Sequence, residues 1–194
     1  MTLEYILINL KRELIRTLAV VDEWFDSDPA LLQYRPASGG WTVSEVLEHI
    51  TLTNQYLLII IEKGTEKALR KKDELTEPFV IPETYILSNP ALSAIAQPDT
   101  FVWQRPEHHQ PTGQKSLCEV RRTLRNQLEQ CLITLELLPH GEGILHHTTM
   151  SVNNLGKLDV YQYLYFLALH AQRHIHQLRK IGQEYTAPSV ACDA

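Results

Sequence analysis

Two histidines near the C-terminal end of the chain, His170 and His174, are four residues apart in a segment with helical periodicity. At 100° per residue their side chains lie about 40° apart around the helix axis, so one ion could contact both imidazoles. By the same arithmetic His176 lies about 160° from His174 and faces solvent. The spacing alone is compatible with a metal-binding pair and equally with partly buried histidines that are satisfied by hydrogen bonds.

A third ligand would have to come from another helix, and His49 is the only other histidine in a segment that is predicted to be helical. Three neutral imidazoles suit Zn2+ or Ni2+ and leave a coordination position open for water or a substrate. Such an ion lowers the pKa of bound water from about 15.7 toward about 7, holds a thiolate, or polarises a carbonyl group. His49, His170 and His174 are therefore the candidate ligands of an open tris-histidine site for a divalent metal ion, and on spacing alone the interpretation as satisfied, partly buried histidines stays open.

Four amphipathic segments must position these histidines, and apolar residues recur in each of them at spacings of three and four. The segments cover residues 3–25, 42–72, 116–138 and 159–181. Each of the last three begins with a residue that can cap a helix N-terminus: Thr42 with Glu45, Ser116 with Glu119, and Asp159. Gly182 is expected to end the last helix. Residues 141–156 are predicted to form a loop.

The region between the second and third predicted helices, at about residues 73–115, contains six of the ten prolines and cannot form one helix. Loops longer than about 15 residues are uncommon in compact domains, so we expect this region to cover a functional cleft and to carry the chain between the ends of the molecule. Four helices and no convincing alternating strand predict an all-α four-helix bundle. The length of 194 residues favours a single domain over 1–194 with an irregular insertion at 73–115.

Composition and charge argue against several classes of function. The 18 lysines and arginines against 23 acidic residues give a net charge of -5, which disfavours nucleic-acid binding. No stretch approaches the roughly 20 consecutive apolar residues of a membrane span. The N-terminal residues mix both charge signs, unlike a secretory signal, so a cytoplasmic protein with no membrane association is expected. Three cysteines do not indicate a disulfide framework and are expected to be buried or idle thiols.

Two separated blocks of sequence carry a more specific signal. The first reads Tyr34-Arg35-Pro36, then Gly40-Trp41-Thr42-Val43-Ser44-Glu45-Val46-Leu47-Glu48-His49-Ile50. The second runs from Gly156 through Asp159, Tyr163 and Phe166 to His170-Ala171-Gln172-Arg173-His174-Ile175-His176-Gln177. In order and spacing these blocks resemble the DinB/YfiT-like family of metal-binding helical bundles, whereas the proline-rich region matches nothing in that family.

The resemblance implies an up-down-down-up bundle whose second and third helices run parallel, with Ni2+ or Zn2+ held by His49, His170 and His174. It also implies a homodimer. Characterised members of the family include thiol S-transferases that use bacillithiol or mycothiol, and many others are described as metal-dependent hydrolases. The implied function is a metal-dependent enzyme of the hydrolase or thiol S-transferase class that acts on a small molecule, with a low-molecular-weight thiol as a candidate co-substrate.

Side chains near the three histidines could assist them. Glu45, one turn before His49, could accept a hydrogen bond from an imidazole N–H or act as a general base, or it could serve only as a helix cap. Gln177 could orient His174 by a hydrogen bond, or it could be an exposed helical glutamine. Tyr56, Tyr163 and Trp41 are expected to pack in the core. Exposed positions are expected for the histidines in predicted loops: His108, His109, His140, His146 and His147.

Two alternatives to an enzyme remain open at this point. One is a non-catalytic dimeric bundle in which the ion only ties two helices together. The other is a small-molecule binding or stress-response module. An enzyme requires a vacant coordination position, a structural ion requires a closed coordination shell, and a binding module requires a cavity without turnover.

Overall fold

The computed structural model describes residues 2–77, 79–82, 84–98, 100 and 110–186 of the chain. The described part is mostly helical, with four helices of 21 to 31 residues and two shorter ones. In chain order the helices are α1 (Leu3–Glu23), α2 (Pro29–Gln33), α3 (Val43–Asp73), α4 (Pro90–Ser93), α5 (Leu117–Leu137) and α6 (Val160–Thr186). None of them is long and apolar enough to cross a bilayer within this part of the chain.

The N-terminal signals predicted for three of the long helices are confirmed. The Thr42 hydroxyl accepts the N–H of Glu45, and the Glu45 carboxylate accepts the N–H of Thr42, which completes a capping box at the start of α3. The same reciprocal pair forms between Ser116 and Glu119 at the start of α5. At the start of α6, the Asp159 carboxylate accepts the N–H of Gln162 at 2.9 Å. Because each cap satisfies otherwise unpaired N–H groups, these residues set where the helices begin.

One apolar core lies between the four long helices. Helix α1 packs mainly against α5 and α6, and α3 packs against the same two helices. The largest fully buried side chains come from all four: Leu10, Leu14, Leu47, Ile50, Ile61, Leu124, Tyr161, Tyr163 and Phe166. Helix α6 is therefore in contact with α1 on one side and α3 on the other, and His170 and His174 lie on the side that faces α3.

The prediction that residues 141–156 are all loop is wrong, because they contain a turn of 3-10 helix (Glu142–Leu145) and most of a hairpin. Strand β1 (His147–Met150) pairs antiparallel with β2 (Gly156–Asp159), with His147 opposite Asp159. Each strand has only four residues, and only Met150 of β1 is buried. Alternating burial therefore had too few residues in which to show in the sequence.

The predicted end of the last helix is also wrong. Helix α6 continues past Gly182 to Thr186. A Cβ at Gly182 would lie 3.3 Å from the Trp24 ring, so the glycine permits close packing of α6 on the segment after α1 and does not cap the helix.

The described part of the proline-rich region runs along α6. The carbonyl of Ile86 accepts a hydrogen bond from Gln162 in the first turn of α6. The carbonyl of Gln97 accepts one from Arg173, about three turns further along the helix. Between these points, α4 and the 3-10 turn Ala94–Ala96 bury apolar side chains in the core. The expectations for His108 and His109 fall on residues outside the described ones.

Candidate metal centre

The three predicted ligand histidines lie together between α3 and α6. His49 is in the second turn of α3, directly after the capping box, and His170 and His174 are on successive turns of α6. Their exposed fractions are only 5%, 2% and 6%. The packing of α3 against α6 thus brings His49 next to two histidines that follow it by more than 120 residues.

The imidazole rings converge on one point. Ring centroids are 5.2 Å apart for His49 and His170, 4.7 Å for His49 and His174, and 4.5 Å for His170 and His174. The two Nε2 atoms of α6 face each other at 3.1 Å. Each histidine offers a ligand nitrogen, and these nitrogens all lie within 4.8 Å of one another. The group could hold a metal ion.

The donor set and its surroundings fit a divalent ion of intermediate softness. Three neutral imidazoles are ligands that Zn2+ and Ni2+ accept. Thr53, one turn after His49, is 6% exposed, and its Oγ1 has no hydrogen-bond partner among the described residues. A buried hydroxyl without a partner costs free energy, so this atom is available to a bound ligand.

Gln177 contacts the histidine that it was expected to orient. Its side-chain Oε1 lies 2.9 Å from Nδ1 of His174. An amide oxygen accepts, so this contact favours the neutral tautomer of His174 with its proton on Nδ1, and in that tautomer the lone pair of Nε2 is left for the centre of the cluster. This is the arrangement that metal-binding histidines commonly show.

Aromatic rings enclose the cluster on two sides. The Trp41 ring lies 4.5 Å from the His49 ring and 6.5 Å from the His174 ring. Phe166 is stacked on His170, with centroids 6.5 Å apart and an interplanar angle of 6°. Both rings limit the access of water to the imidazoles. Trp41 packs against the apolar core and Tyr163 lies within it, as expected from the sequence, whereas Tyr56 is exposed and the expectation for that residue is wrong.

Glu45 is engaged at the start of α3. One carboxylate oxygen accepts the N–H of Thr42 at 2.8 Å, and the other pairs with Arg35 at 2.8 Å. Partial burial raises the pKa of the Glu45 carboxyl, but the hydrogen bonds from Arg35 and Thr42 lower it more, and the result is a pKa below the usual value. These contacts favour the capping role over that of a general base, because a carboxylate with a lowered pKa is a weaker base.

The buried carboxylate next to the first ligand was missed by the sequence reasoning. Glu48 is 2% exposed, and its oxygens accept the Thr112 hydroxyl at 2.9 Å and the Gly113 N–H at 2.8 Å. A glutamate between apolar residues and His49 in the motif was a visible signal. Its role could not be derived, because its partners lie at the end of the proline-rich region.

The remaining histidines lie away from the cluster. His140, His147 and His176 are exposed, as expected. His146 is half-buried, which corrects the expectation for that residue, and its ring lies 3.3 Å from the Thr148 hydroxyl. Burial, followed by the charges of nearby lysines, lowers the pKa of His146. Two exposed lysines, Lys67 and Lys71, and the hairpin therefore lie near a histidine that sequence alone placed in solvent.

A groove with a volume of about 350 Å³ lies between α3 and α5. Its walls are mainly apolar, with Leu58, Ile59, Ile133 and Leu137 among the lining residues, and none of the three clustered histidines lines it. The groove is therefore separate from the histidine cluster.

The fold is mostly helical, and three buried histidines from two helices meet at one point. These features define a class of helical proteins with a candidate metal centre. The model of the DinB superfamily matches residues 9–178, a range that includes all three histidines and most of the four long helices. The chain belongs to the DinB superfamily. Searches of curated proteins and of solved structures gave no match.

Proposed function

We propose that this protein is a metal-dependent enzyme with an open tris-histidine site, of the hydrolase or thiol S-transferase class, that acts on a small molecule. The observation that carries the proposal is the convergence of three buried imidazoles within 4.8 Å in a chain of the DinB superfamily, whose members often bind metal. Zn2+ or Ni2+ is the proposed ion. A low-molecular-weight thiol is the proposed co-substrate for the transferase alternative.

The residues of the chain have distinct parts in this proposal. His49, His170 and His174 would hold the ion, which when bound would supply Lewis-acid activation of a water, a thiol or a carbonyl group. Gln177 keeps His174 in the tautomer that binds metal. Thr53 would donate or accept a hydrogen bond at a group bound beside His49. Trp41 and Phe166 exclude water around the imidazoles, which strengthens electrostatic interactions there.

Several contacts support an up-down-down-up four-helix bundle as the proposed topology. Helices that run parallel share contacts in the same sequence order, whereas antiparallel helices share them in reverse order. The order is the same for α1 with α6 and for α3 with α5, and it is reversed for α1 with α5. For α1 with α6 the supporting pairs are Glu13 with Gln172 and Trp24 with Gly182. For α3 with α5 they are Asn54 with Gln127, and Leu69 with Leu137 in one groove. For α1 with α5 they are Lys11 with Glu136 and Asp22 with Arg121.

The proposal also includes a single domain over residues 1–194, a homodimer and a cytoplasmic location. The single apolar core agrees with one domain. Size-exclusion chromatography with light scattering would test the dimer directly.

Metal analysis of the purified chain tests the proposal. Wild-type protein is expected to carry about one Zn2+ or Ni2+ per chain, and His170→Ala is expected to lose it. His176→Ala is the matched control, because this histidine lies on the same helix but is exposed. The proposal fails if wild-type protein binds neither ion after loading, or if His170→Ala binds as well as the control.

Activity and stability measurements separate the enzyme from the two alternatives. The holo protein would be screened with thiol cofactors plus electrophiles, and with amide and ester substrates. For an enzyme, His170→Ala loses turnover with a small change in unfolding midpoint. A structural ion predicts a large loss of stability and no turnover in wild-type protein. A binding module predicts ligand binding without turnover.

A further inference from the structure

A buried carboxylate holds the end of the proline-rich region against the start of α3. Glu48 is buried, at 2% exposure, and both of its carboxylate oxygens accept hydrogen bonds from residues that precede α5. A Cβ on Gly113 would lie 4.0 Å from Oε1 of Glu45, so this end of the region also reaches the first turn of α3. A buried carboxylate is retained only where it is well paired, and here its pairing lies entirely within the connecting region.

A second anchor holds the same region against α6. The Arg173 guanidinium donates to the carbonyl of Gln97, which follows the 3-10 turn Ala94–Ala96. Ile95 in that turn is fully buried, so the anchor point is fixed by packing as well as by the hydrogen bond.

The two anchors have the same relation to the metal cluster. Glu48 directly precedes His49 in α3, and Arg173 directly precedes His174 in α6. The connecting region is thus attached to both helices at the level of the imidazoles. Any movement of these helix segments that opens the cluster would also strain the attachments, because consecutive residues of a helix move as one body.

We propose that Glu48 and Arg173 are positioning residues that couple docking of the proline-rich region to metal binding at His49, His170 and His174. This inference rests on the proposed metal site. The attachments hold the two ligand-bearing segments in place before an ion binds. These segments therefore lose less conformational entropy on metal binding, which raises the affinity for the ion. By linkage, the bound ion in turn stabilises the docked region by the same factor.

The alternative is that Glu48 only stabilises the fold, and Glu142 offers a matched comparison. Its carboxylate is also 2% exposed and accepts two hydrogen bonds, from Lys72 at 2.9 Å and from the N–H of His140 at 2.9 Å. This pair lies at the C-terminal end of α3, whereas the histidine cluster lies near its N-terminal end. A purely structural carboxylate at either end would change stability alone.

The test compares the Zn2+ affinity of Glu48→Gln with that of Glu142→Gln by competition with a chromophoric chelator. Glu48→Gln removes the negative charge, so both hydrogen bonds lose their charge assistance, and the Thr112 hydroxyl must turn to accept from the new NH2 group while Gly113 still donates to the amide oxygen. Glu48→Gln is expected to bind Zn2+ about tenfold more weakly than wild type, in the range found when a group that supports a metal ligand is removed. Glu142→Gln is expected to keep wild-type affinity, although both variants unfold at a lower temperature.

A measurement on wild-type protein keeps the inference testable if Glu48→Gln does not fold. Hydrogen exchange at the amide of Gly113, which donates to Glu48, is expected to slow about tenfold on saturation with Zn2+. The coupling would be overturned, with the metal site left intact, by equal Zn2+ affinities in the two glutamine variants. It would also be overturned if the exchange rate of the Gly113 amide did not change on Zn2+ binding. Failure of wild-type protein to bind Zn2+ at all would overturn the proposed function and this inference together.

Discussion

Replacing Gln177 by alanine is expected to weaken metal binding about tenfold and to leave the fold intact. Among the residues that the structure describes, this side chain has a hydrogen bond only to Nδ1 of His174, at 2.9 Å. A net hydrogen bond contributes about 0.5 to 1.5 kcal/mol, which corresponds to a roughly two- to tenfold change in affinity. Loss of a group that orients a metal ligand costs about 10- to 100-fold. The two ranges meet near tenfold.

The assay is a competition titration of Zn2+ against a chromophoric chelator near neutral pH. Gln172→Ala is the matched control, since Gln172 is also on α6 but donates hydrogen bonds to Glu13 and Thr17 of α1. The control is expected to lose stability without losing Zn2+ affinity. If Gln177→Ala and Gln172→Ala bind Zn2+ equally well, Gln177 does not orient His174, and the tautomer argument is wrong.

Three other predictions test the electrostatics and packing away from the centre. The hydrogen bond from Arg121 is the main cause of a lowered pKa at Asp22. This pair therefore stabilises the fold above the unfolded pKa of about 3.9, and the stabilisation is lost as pH falls through the lower folded pKa. In urea titrations, the free energy of unfolding of wild type should fall more in acid than that of Asp22→Asn. Burial raises the pKa of Cys131 to about 12, so peptide mapping after native alkylation should find exposed Cys118 modified and Cys131 unmodified, and rapid labelling of Cys131 would contradict its burial. Gly141 has φ of +94° and no room for a Cβ, so Gly141→Ala should lower the free energy of unfolding by about 1 to 3 kcal/mol, and an unchanged urea midpoint would refute the strain.

Local signals made the long helices predictable. Thr42 and Ser116 each carry a glutamate three residues later, and both pairs form capping boxes in the structure. Such signals act between neighbours in sequence, so no knowledge of packing is needed to use them. The hairpin at β1 and β2 was missed because strands of four residues leave no period to detect, and the extension of α6 was missed because Gly182 serves a contact with Trp24.

The candidate site was predictable in its ligands and not in its supports. His170 and His174 are paired by helical spacing, and His49 was singled out as the other helical histidine and by the family motif. Glu48 stands out in the motif as a glutamate beside His49, but its partners could not be predicted, because Thr112 and Gly113 are more than 60 residues away. Contact between Glu48 and a distant loop is a property of tertiary packing, which sequence periodicity does not encode.

X-ray absorption spectroscopy of the Zn2+-loaded protein tests the central claim most directly, since it counts the imidazoles around the ion. Wild-type protein is expected to show three imidazole ligands at about 2.0 to 2.1 Å and at least one exchangeable light-atom ligand. His49→Ala is expected to show one imidazole fewer, and His176→Ala the same three as wild type. A zinc spectrum without three imidazoles in wild type, or one that His49→Ala leaves unchanged, would contradict the account.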